Sequence, residues 1–268
     1  TELLTLPVQR LLEAQAALER RIAAESYAVP LPFQPTVGTP SLPAPPLESV
    51  RSGVNAGVDL LIGTNLNEGS FAVEMRPPSA GDPAYPERAA AVLAGAGIPA
   101  LKAPGYAGAL AKVLNREPSG KELLEAAIAD SVYRQPSNRL LGARLLGAVH
   151  PPAAGKNFAY LFTWHSPAMG GKLGACHALD IPFVFRHVDA PQAAFLTRGK
   201  APQALSDIMS SAWAAFAHTG QPAVPGLEWP EYGEQRSTLV LDADTRLEDD
   251  PRRELREFFE DVRPLPAN

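Results

Sequence analysis

The sequence contains a single cysteine, Cys176, among its 268 residues. One thiol cannot form an intrachain disulfide, so the chain is not one of the small secreted scaffolds that depend on such bonds. This scarcity favours a cytoplasmic protein, with secretion left open. The histidines and the cysteine lack the spacing of zinc ligands. We therefore expect no metal and no other cofactor.

Basic clusters and long apolar segments are also missing. The 24 lysines and arginines are spread along the chain, and the net charge is −5. Proteins that bind nucleic acid need a basic patch or stripe, so this class is excluded. No apolar run approaches the roughly 20 residues of a membrane-spanning helix, which argues against a membrane protein. The 46% hydrophobic and 20% charged residues are typical of a globular protein with a substantial core.

Apolar periodicity predicts strands that alternate with helices. Short apolar runs predict three buried strands of a parallel sheet, at 59–63, 157–164 and 238–242. Helical spacing predicts the flanking segments 6–24, 86–149, 203–219 and 251–259. The proline-rich segment 29–50 is predicted to be a long surface loop. This alternation indicates an α/β fold. Three strands are few for this length, so we expect a bare sheet edge and an uncovered apolar face.

Two residues that could work together in catalysis lie just beyond predicted strands. Glu68 follows the first strand, and His177 follows the second strand and the glycine-rich loop 166–176. Loops that leave the carboxyl ends of parallel strands meet at one edge of the sheet. A carboxylate beside an imidazole fixes its tautomer and stabilises the imidazolium that forms when it removes a hydroxyl proton. The order of acid before histidine is that of α/β-hydrolases.

Spacing alone leaves other interpretations open. A lone glutamate in a loop is most often a solvated charge or a helix cap, and a lone histidine most often has a structural role. His165, which directly follows the second strand, could be a rival base, although structural hydrogen bonding is the commoner role. Cys176, next to His177, could be a reactive thiol, although a small buried residue is the commoner role of a free cysteine.

The chain resembles the C-terminal half of type-B carboxylesterases, the family of bacterial p-nitrobenzyl esterases and cholinesterases. Order and spacing agree from about residue 30 onward, and the matching stretches are 61–71, 174–185, 213–222 and 229–232. The resemblance implies an α/β-hydrolase fold that a missing N-terminal piece completes. Residues 1–268 would be the C-terminal portion of a single domain, with a helical insertion at about 86–149. Because Thr1 is not an initiator methionine, we expect the numbering to begin inside a longer gene product.

The resemblance also implies roles for individual residues. Glu68 would be the triad acid and His177 the general base, with Asp180 as a supporting carboxylate and Ser70 as a further supporting residue. The family often has aspartate where this chain has Asn67, which does not affect the proton relay. Five side chains flank the two loops and could either line an acyl or alcohol pocket or pack in the core: Phe71, Met75, Met169, Leu173 and Phe183.

The sequence has no Gly-x-Ser-x-Gly, the motif that places a nucleophilic serine on a strained turn between strand and helix. Ser70, Ser79 and Ser166 all lack its paired glycines. In the family, the serine and the glycine-rich oxyanion loop lie in the N-terminal half. Loss of a triad serine costs about 10⁶ in rate, so we predict no turnover by this chain alone.

We therefore predict a serine carboxylesterase that hydrolyses small esters through an acyl-enzyme. Its N-terminal fragment, which carries the Gly-x-Ser-x-Gly nucleophile, would be the partner of this chain. Two alternatives remain: a non-catalytic binding or adhesion module of the same fold, and a degenerate hydrolase-like chain that docks on an unrelated partner.

Overall fold

The computed structural model describes residues 2–25, 33, 35–77, 79–81, 83–147 and 155–262. One four-stranded sheet runs through this part, in the order β1 (Leu60–Asn65), β2 (Asn157–Phe162), β3 (Ser237–Leu241) and β4 (Arg246–Asp249). The first three strands are parallel, and β4 is antiparallel to β3. The predicted, mostly parallel sheet is therefore confirmed.

The fourth strand was not predicted, because it is polar. Arg246, Leu247 and Asp249 are exposed and Glu248 is half-buried, and only Leu247 interrupts the charged side chains. A charged edge strand of this kind contains no apolar run by which it could be predicted. Its charges also discourage pairing with other chains. At the opposite edge, β1 pairs with β2 and with no other strand among the described residues. That edge is the bare edge that the sequence predicted.

Helices surround the sheet. In chain order they are α1 (Val8–Glu25), α2 (Pro46–Arg51), α3 (Ser70–Met75), α4 (Tyr85–Gly95), α5 (Ala103–Leu114), α6 (Gly120–Ile128), α7 (Gln135–Gly147), α8 (Ile181–Val184), α9 (Ala194–Thr197), α10 (Gln203–Thr219) and α11 (Arg253–Val262). A π-helical stretch, Ala129–Arg134, joins α6 to α7. None of the described helices combines the length and apolar composition needed to cross a bilayer.

The loop prediction for 29–50 was wrong at its end. Pro45 is the N-cap of α2 and Pro46 its first residue. Proline suits the first helical turn, because its missing N–H would have no partner there. The prediction treated every proline of the segment as a loop residue. The part of the predicted loop at 29–32 and 34 lies outside the described residues, as do the last two residues of the predicted helical region 86–149.

The sheet separates two apolar layers, because successive side chains of a strand point to opposite faces. Phe158 and Phe162 of β2 face one layer, in which α8 and α10 pack. Ala159 faces the other layer, together with Leu141 of α7 and Tyr232. A separate cluster lies among α4, α5, α6 and α11. The site described below lies where these layers meet the carboxyl ends of β1 and β2.

Helix α1 has an apolar stripe that stays exposed. Val8 is 70% exposed, Leu12 53% and Leu18 41%. The apolar stripe of an amphipathic helix normally packs against a core. Within the part of the chain that the structure describes, nothing covers this stripe.

Candidate active site

Glu68 lies in the short connection between β1 and α3. The backbone N–H of Asn65 donates to Oε1 of Glu68 at 2.8 Å, which closes the turn. Gly69 is required here, since a Cβ at this position would lie 2.2 Å from the carbonyl oxygen of Glu125 in α6. The turn can therefore pack against α6, and the Glu68 side chain is only 7% exposed.

His177 lies near the end of the loop that leads from β2 to α8. Gly174 has a φ of +56°, and a Cβ there would lie 2.5 Å from Oδ1 of Asn67. The N–H of Asn67 donates to the carbonyl of Ala175 at 2.9 Å, and the N–H of Ala175 donates to Oδ1 of Asn67 at 3.0 Å. These bonds join the two loops side by side. The amide oxygen of Asn67 thus supplies the acceptor that an aspartate would have supplied.

The two loops bring Glu68 and His177 into contact. Oε2 of Glu68 lies 2.7 Å from Nδ1 of His177. A carboxylate at this position holds the proton on Nδ1 and leaves Nε2 as the basic nitrogen. The imidazole is 51% exposed, whereas the carboxylate beneath it is buried. The arrangement can therefore accept a proton at the exposed imidazole and stabilise the cation that results.

The ring of Tyr133 lies beside the imidazole, with 5.0 Å between the ring centroids. Burial, together with the charge of Glu68, raises the pKa of Tyr133 above its usual value. The phenol therefore stays uncharged at neutral pH and forms one side of the site.

Asp180 supports the site without touching the pair. Its Oδ1 accepts a bond of 3.2 Å from Nδ2 of Asn65, and its Oδ2 accepts one of 3.2 Å from the hydroxyl of Tyr160. Burial, followed by the charge of Asp180, raises the pKa of Tyr160 far above its usual value, so the phenol stays a donor. Asp180 thus contacts Asn65, whose backbone in turn binds Glu68.

Ser70 links the two loops. Its hydroxyl lies 2.7 Å from the carbonyl oxygen of Asn67 and is also within bonding distance of the carbonyl oxygen of Leu173. The residue is 1% exposed. A hydroxyl held in this way by backbone carbonyls supports the loops and is poorly placed to attack a substrate.

Sequence reasoning missed Arg134, which ends the π-helical stretch. Its Nη2 donates to the carbonyl oxygens of Asn65 at 3.0 Å and Leu66 at 2.9 Å, so it holds the turn that carries Glu68. Its Nη1 pairs with Asp130, and both side chains are buried. The available signal was an acid and a base four residues apart within a helical segment, a spacing that places them on one helix face.

The five tentative pocket residues do not share one environment. Leu173 and Phe183 are 0% exposed and pack in the core beside the sheet, which is the second of the two roles that the sequence left open. Phe71 is partly buried against the same core. Met75 is 53% exposed and Met169 38%. A pocket role for these last three residues stays a prediction.

An open apolar groove that was not predicted is lined in part by Ala178, the residue that follows His177. Its volume is about 530 Å³, and Ala178, Ile181, Phe185 and Leu196 are among the residues that line it. Ile181 and Phe185 are 52% and 65% exposed. The run Ile-Pro-Phe-Val-Phe resembles a core segment in sequence. The short helix α8 instead turns Phe183 inward, whereas Ile181 and Phe185 stay exposed.

The rival interpretations can now be compared with the structure. The carboxylate of Glu68 binds His177 and not His165, which is exposed. Cys176 is fully buried, and burial raises the pKa of its thiol to about 11. A thiol of this kind is not a thiolate nucleophile at neutral pH. Among the described residues, no group of three or more histidine, cysteine or acidic side chains has the arrangement of a metal site.

Comparison with known proteins identifies the family. The sequence pattern of the carboxylesterase family matches residues 2–259. The chain belongs to the carboxylesterase family. It is 30% identical to the para-nitrobenzyl esterase of Bacillus subtilis (strain 168) over 245 residues, which are 91% of this chain and 46% of that protein. It is 25% identical to the phenmedipham hydrolase of Pseudarthrobacter oxydans over 207 residues, 76% of this chain and 38% of the relative.

Solved esterase structures show the same fold. One structure of a PNB esterase superposes with a TM-score of 0.71 at 28% identity, over 99% of this carboxylesterase chain and 50% of that protein. A thermophilic PNB esterase gives 0.70 at 27% identity, over 96% and 49%. The predicted type-B carboxylesterase relationship and the α/β-hydrolase fold are confirmed. The chain spans about half the length of the B. subtilis relative and of these solved structures.

Proposed function

We propose that this chain supplies the acid and the base of a serine carboxylesterase. The contact of 2.7 Å between Oε2 of Glu68 and Nδ1 of His177, in a chain of the carboxylesterase family, carries the proposal. In this pair the buried carboxylate orients the half-exposed imidazole, and the imidazole acts as the base. A binding or adhesion module has no use for such a pair.

The proposed reaction proceeds in two halves. A serine hydroxyl attacks the ester carbonyl while Nε2 of His177 takes its proton, and Glu68 stabilises the imidazolium through Nδ1–H. The tetrahedral intermediate then expels the alcohol, which receives that proton, and the acyl group stays on the serine. Water attacks the acyl-enzyme with His177 again as the base, and the carboxylic acid leaves as the serine is restored.

The serine itself belongs to another segment in this proposal. The sequence has no Gly-x-Ser-x-Gly, and the hydroxyls of Ser70 and Ser166 are held by backbone carbonyls. We assign the nucleophile and the oxyanion donors to an N-terminal segment. Two features support this assignment: the bare edge of β1 can accept another strand, and the exposed stripe of α1 can pack against another core. Below, the assembled protein means this chain together with that segment.

The substrate is proposed to be a small ester with an apolar or aromatic group. The groove at Ile181 and Phe185 is also lined by Ala178, which follows His177 in sequence, and its lining is mainly apolar. We propose that the acyl or alcohol group of the ester occupies this groove. The B. subtilis relative is named for para-nitrobenzyl esters, which have such a group.

Hydrolysis of p-nitrophenyl esters of increasing chain length by the assembled protein tests the proposal. We expect turnover that requires His177 and is abolished by an organophosphate. Binding of a protein partner without any turnover would instead favour the adhesion module.

A further inference from the structure

Asn65, the last residue of β1, serves both members of the catalytic pair. Its backbone N–H donates to Oε1 of Glu68 at 2.8 Å. Its side-chain Nδ2 donates to the carbonyl oxygen of Cys176 at 2.7 Å, and Cys176 directly precedes His177. One residue therefore holds the acid through its main chain and the loop of the base through its side chain.

The amide of Asn65 can take only one orientation. Nδ2 faces two acceptors, the carbonyl oxygen of Cys176 and Oδ1 of Asp180 at 3.2 Å. An amide oxygen in the same place would face these acceptors without a proton to share. The opposite atom, Oδ1 of Asn65, is buried and has no protein partner. A buried polar atom without a partner is unusual and needs a reason, and the two donated bonds provide one.

The backbone of Asn65 is equally fixed. It lies opposite Phe162 in the parallel pairing of β1 with β2. Its carbonyl oxygen accepts from Nη2 of Arg134 at 3.0 Å, and the residue is 1% exposed. The strand end is thus a rigid base from which the side chain can hold the neighbouring loop.

We propose that Asn65 is a positioning residue that sets the distance between Glu68 and His177. Oε1 of Glu68 is bound by the backbone N–H of residue 65, which is present whatever side chain that residue carries. Oε2 is therefore left free to bind the imidazole. The side chain of Asn65 then fixes where the imidazole lies. The effect on turnover rests on the proposed esterase function, whereas the effect on the imidazole does not.

Asn65→Asp and Asn65→Ser in the assembled protein test this assignment. Aspartate keeps the shape of asparagine but removes both donated hydrogen bonds, and serine avoids the added charge. Asn157→Ala is the matched control, because Asn157 is 8% exposed and lies at the opposite end of the neighbouring strand. The first readout is the tautomer of His177, from nitrogen NMR of histidine-labelled protein. The second is kcat and KM for a p-nitrophenyl ester.

We expect both Asn65 variants to lose the predominant Nδ1–H tautomer of His177. We also expect kcat to fall about 100-fold, as a catalytic group displaced by about 1 Å can cause, with KM changed less than about threefold. The Asn157 control should keep the wild-type tautomer and kcat. A wild-type His177 spectrum in both Asn65 variants would overturn the assignment, and so would an equal loss in the control. If the wild-type protein hydrolyses no ester, the esterase proposal fails while the NMR result still decides the role of Asn65.

Discussion

Replacement of Glu68 by glutamine is the sharpest perturbation of the proposed site, because it changes hydrogen bonding at constant size. Both carboxylate oxygens accept a bond, one from the N–H of Asn65 at 2.8 Å and one from Nδ1 of His177 at 2.7 Å. Glutamine has one oxygen for these two donors. If that oxygen keeps the bond to Asn65, the NH₂ group faces Nδ1 of His177. Nδ1 must then accept a hydrogen bond, so the imidazole carries its proton on Nε2. A protonated Nε2 cannot take the proton of the attacking hydroxyl.

The expected loss follows from this reversal of the tautomer. Amide replacement of a triad acid lowers kcat by about 10⁴ in a well-studied protease, which corresponds to about 5.5 kcal/mol at 1.36 kcal/mol per tenfold change. KM should change little, because Glu68 is 7% exposed and lies beneath the imidazole. Steady-state hydrolysis of a p-nitrophenyl ester by the assembled protein measures both constants.

A control variant separates this effect from the loss of any structural carboxylate. Glu122 caps helix α6 through the N–H of Ser119 at 2.8 Å and also pairs with Arg116. Glu122→Gln alters a carboxylate that also accepts from a backbone N–H, but one remote from His177, and should keep kcat within about twofold. If Glu68→Gln retained more than a tenth of the wild-type kcat, Glu68 would not be the orienting acid.

Three further results are expected. Arg134→Met leaves the fully buried Asp130 without its ion-pair partner. We expect this variant to lower the free energy of unfolding, measured by urea titration, by about 3–5 kcal/mol. Arg116→Met, which breaks an exposed ion pair, should hardly change the free energy of unfolding. A thiol-specific disulfide reagent should leave Cys176 unmodified in the native protein at mildly alkaline pH, because a pKa of about 11 keeps the thiol protonated. The same reagent should modify Cys176 in denaturant. Equal rates of modification in the native and the denatured protein would contradict the burial of Cys176. Phe185→Ala should lower the preference for hexanoyl over acetyl esters about fourfold or more in kcat/KM, as loss of contact with about one CH₂ group would; an unchanged ratio would remove the groove from the substrate site.

The sequence predicted the placement of Glu68 and His177 for a simple physical reason. Buried parallel strands are short apolar runs, and the loops after two such runs must meet at one sheet edge. The charged strand β4 has no such signature, so its pairing with β3 emerges only in the structure. The same holds for α2, whose prolines are common to loops and first helical turns.

The residues that support the pair were harder to predict, because their contacts are distant in sequence. Arg134 binds a carbonyl 69 residues away, and Asn65 reaches one 111 residues away. Neither separation leaves a local pattern. The opposite environments of Phe183 and Phe185 depend on the direction in which one short helix packs, which composition does not determine.

Phosphorylation by an organophosphate, located by mass spectrometry, tests the central claim most directly. If His177 activates a serine of another segment, the assembled protein should be modified at one serine outside residues 1–268, and His177→Ala should abolish the modification. Modification of a serine within this chain, or a modification that persists without His177, would contradict the account.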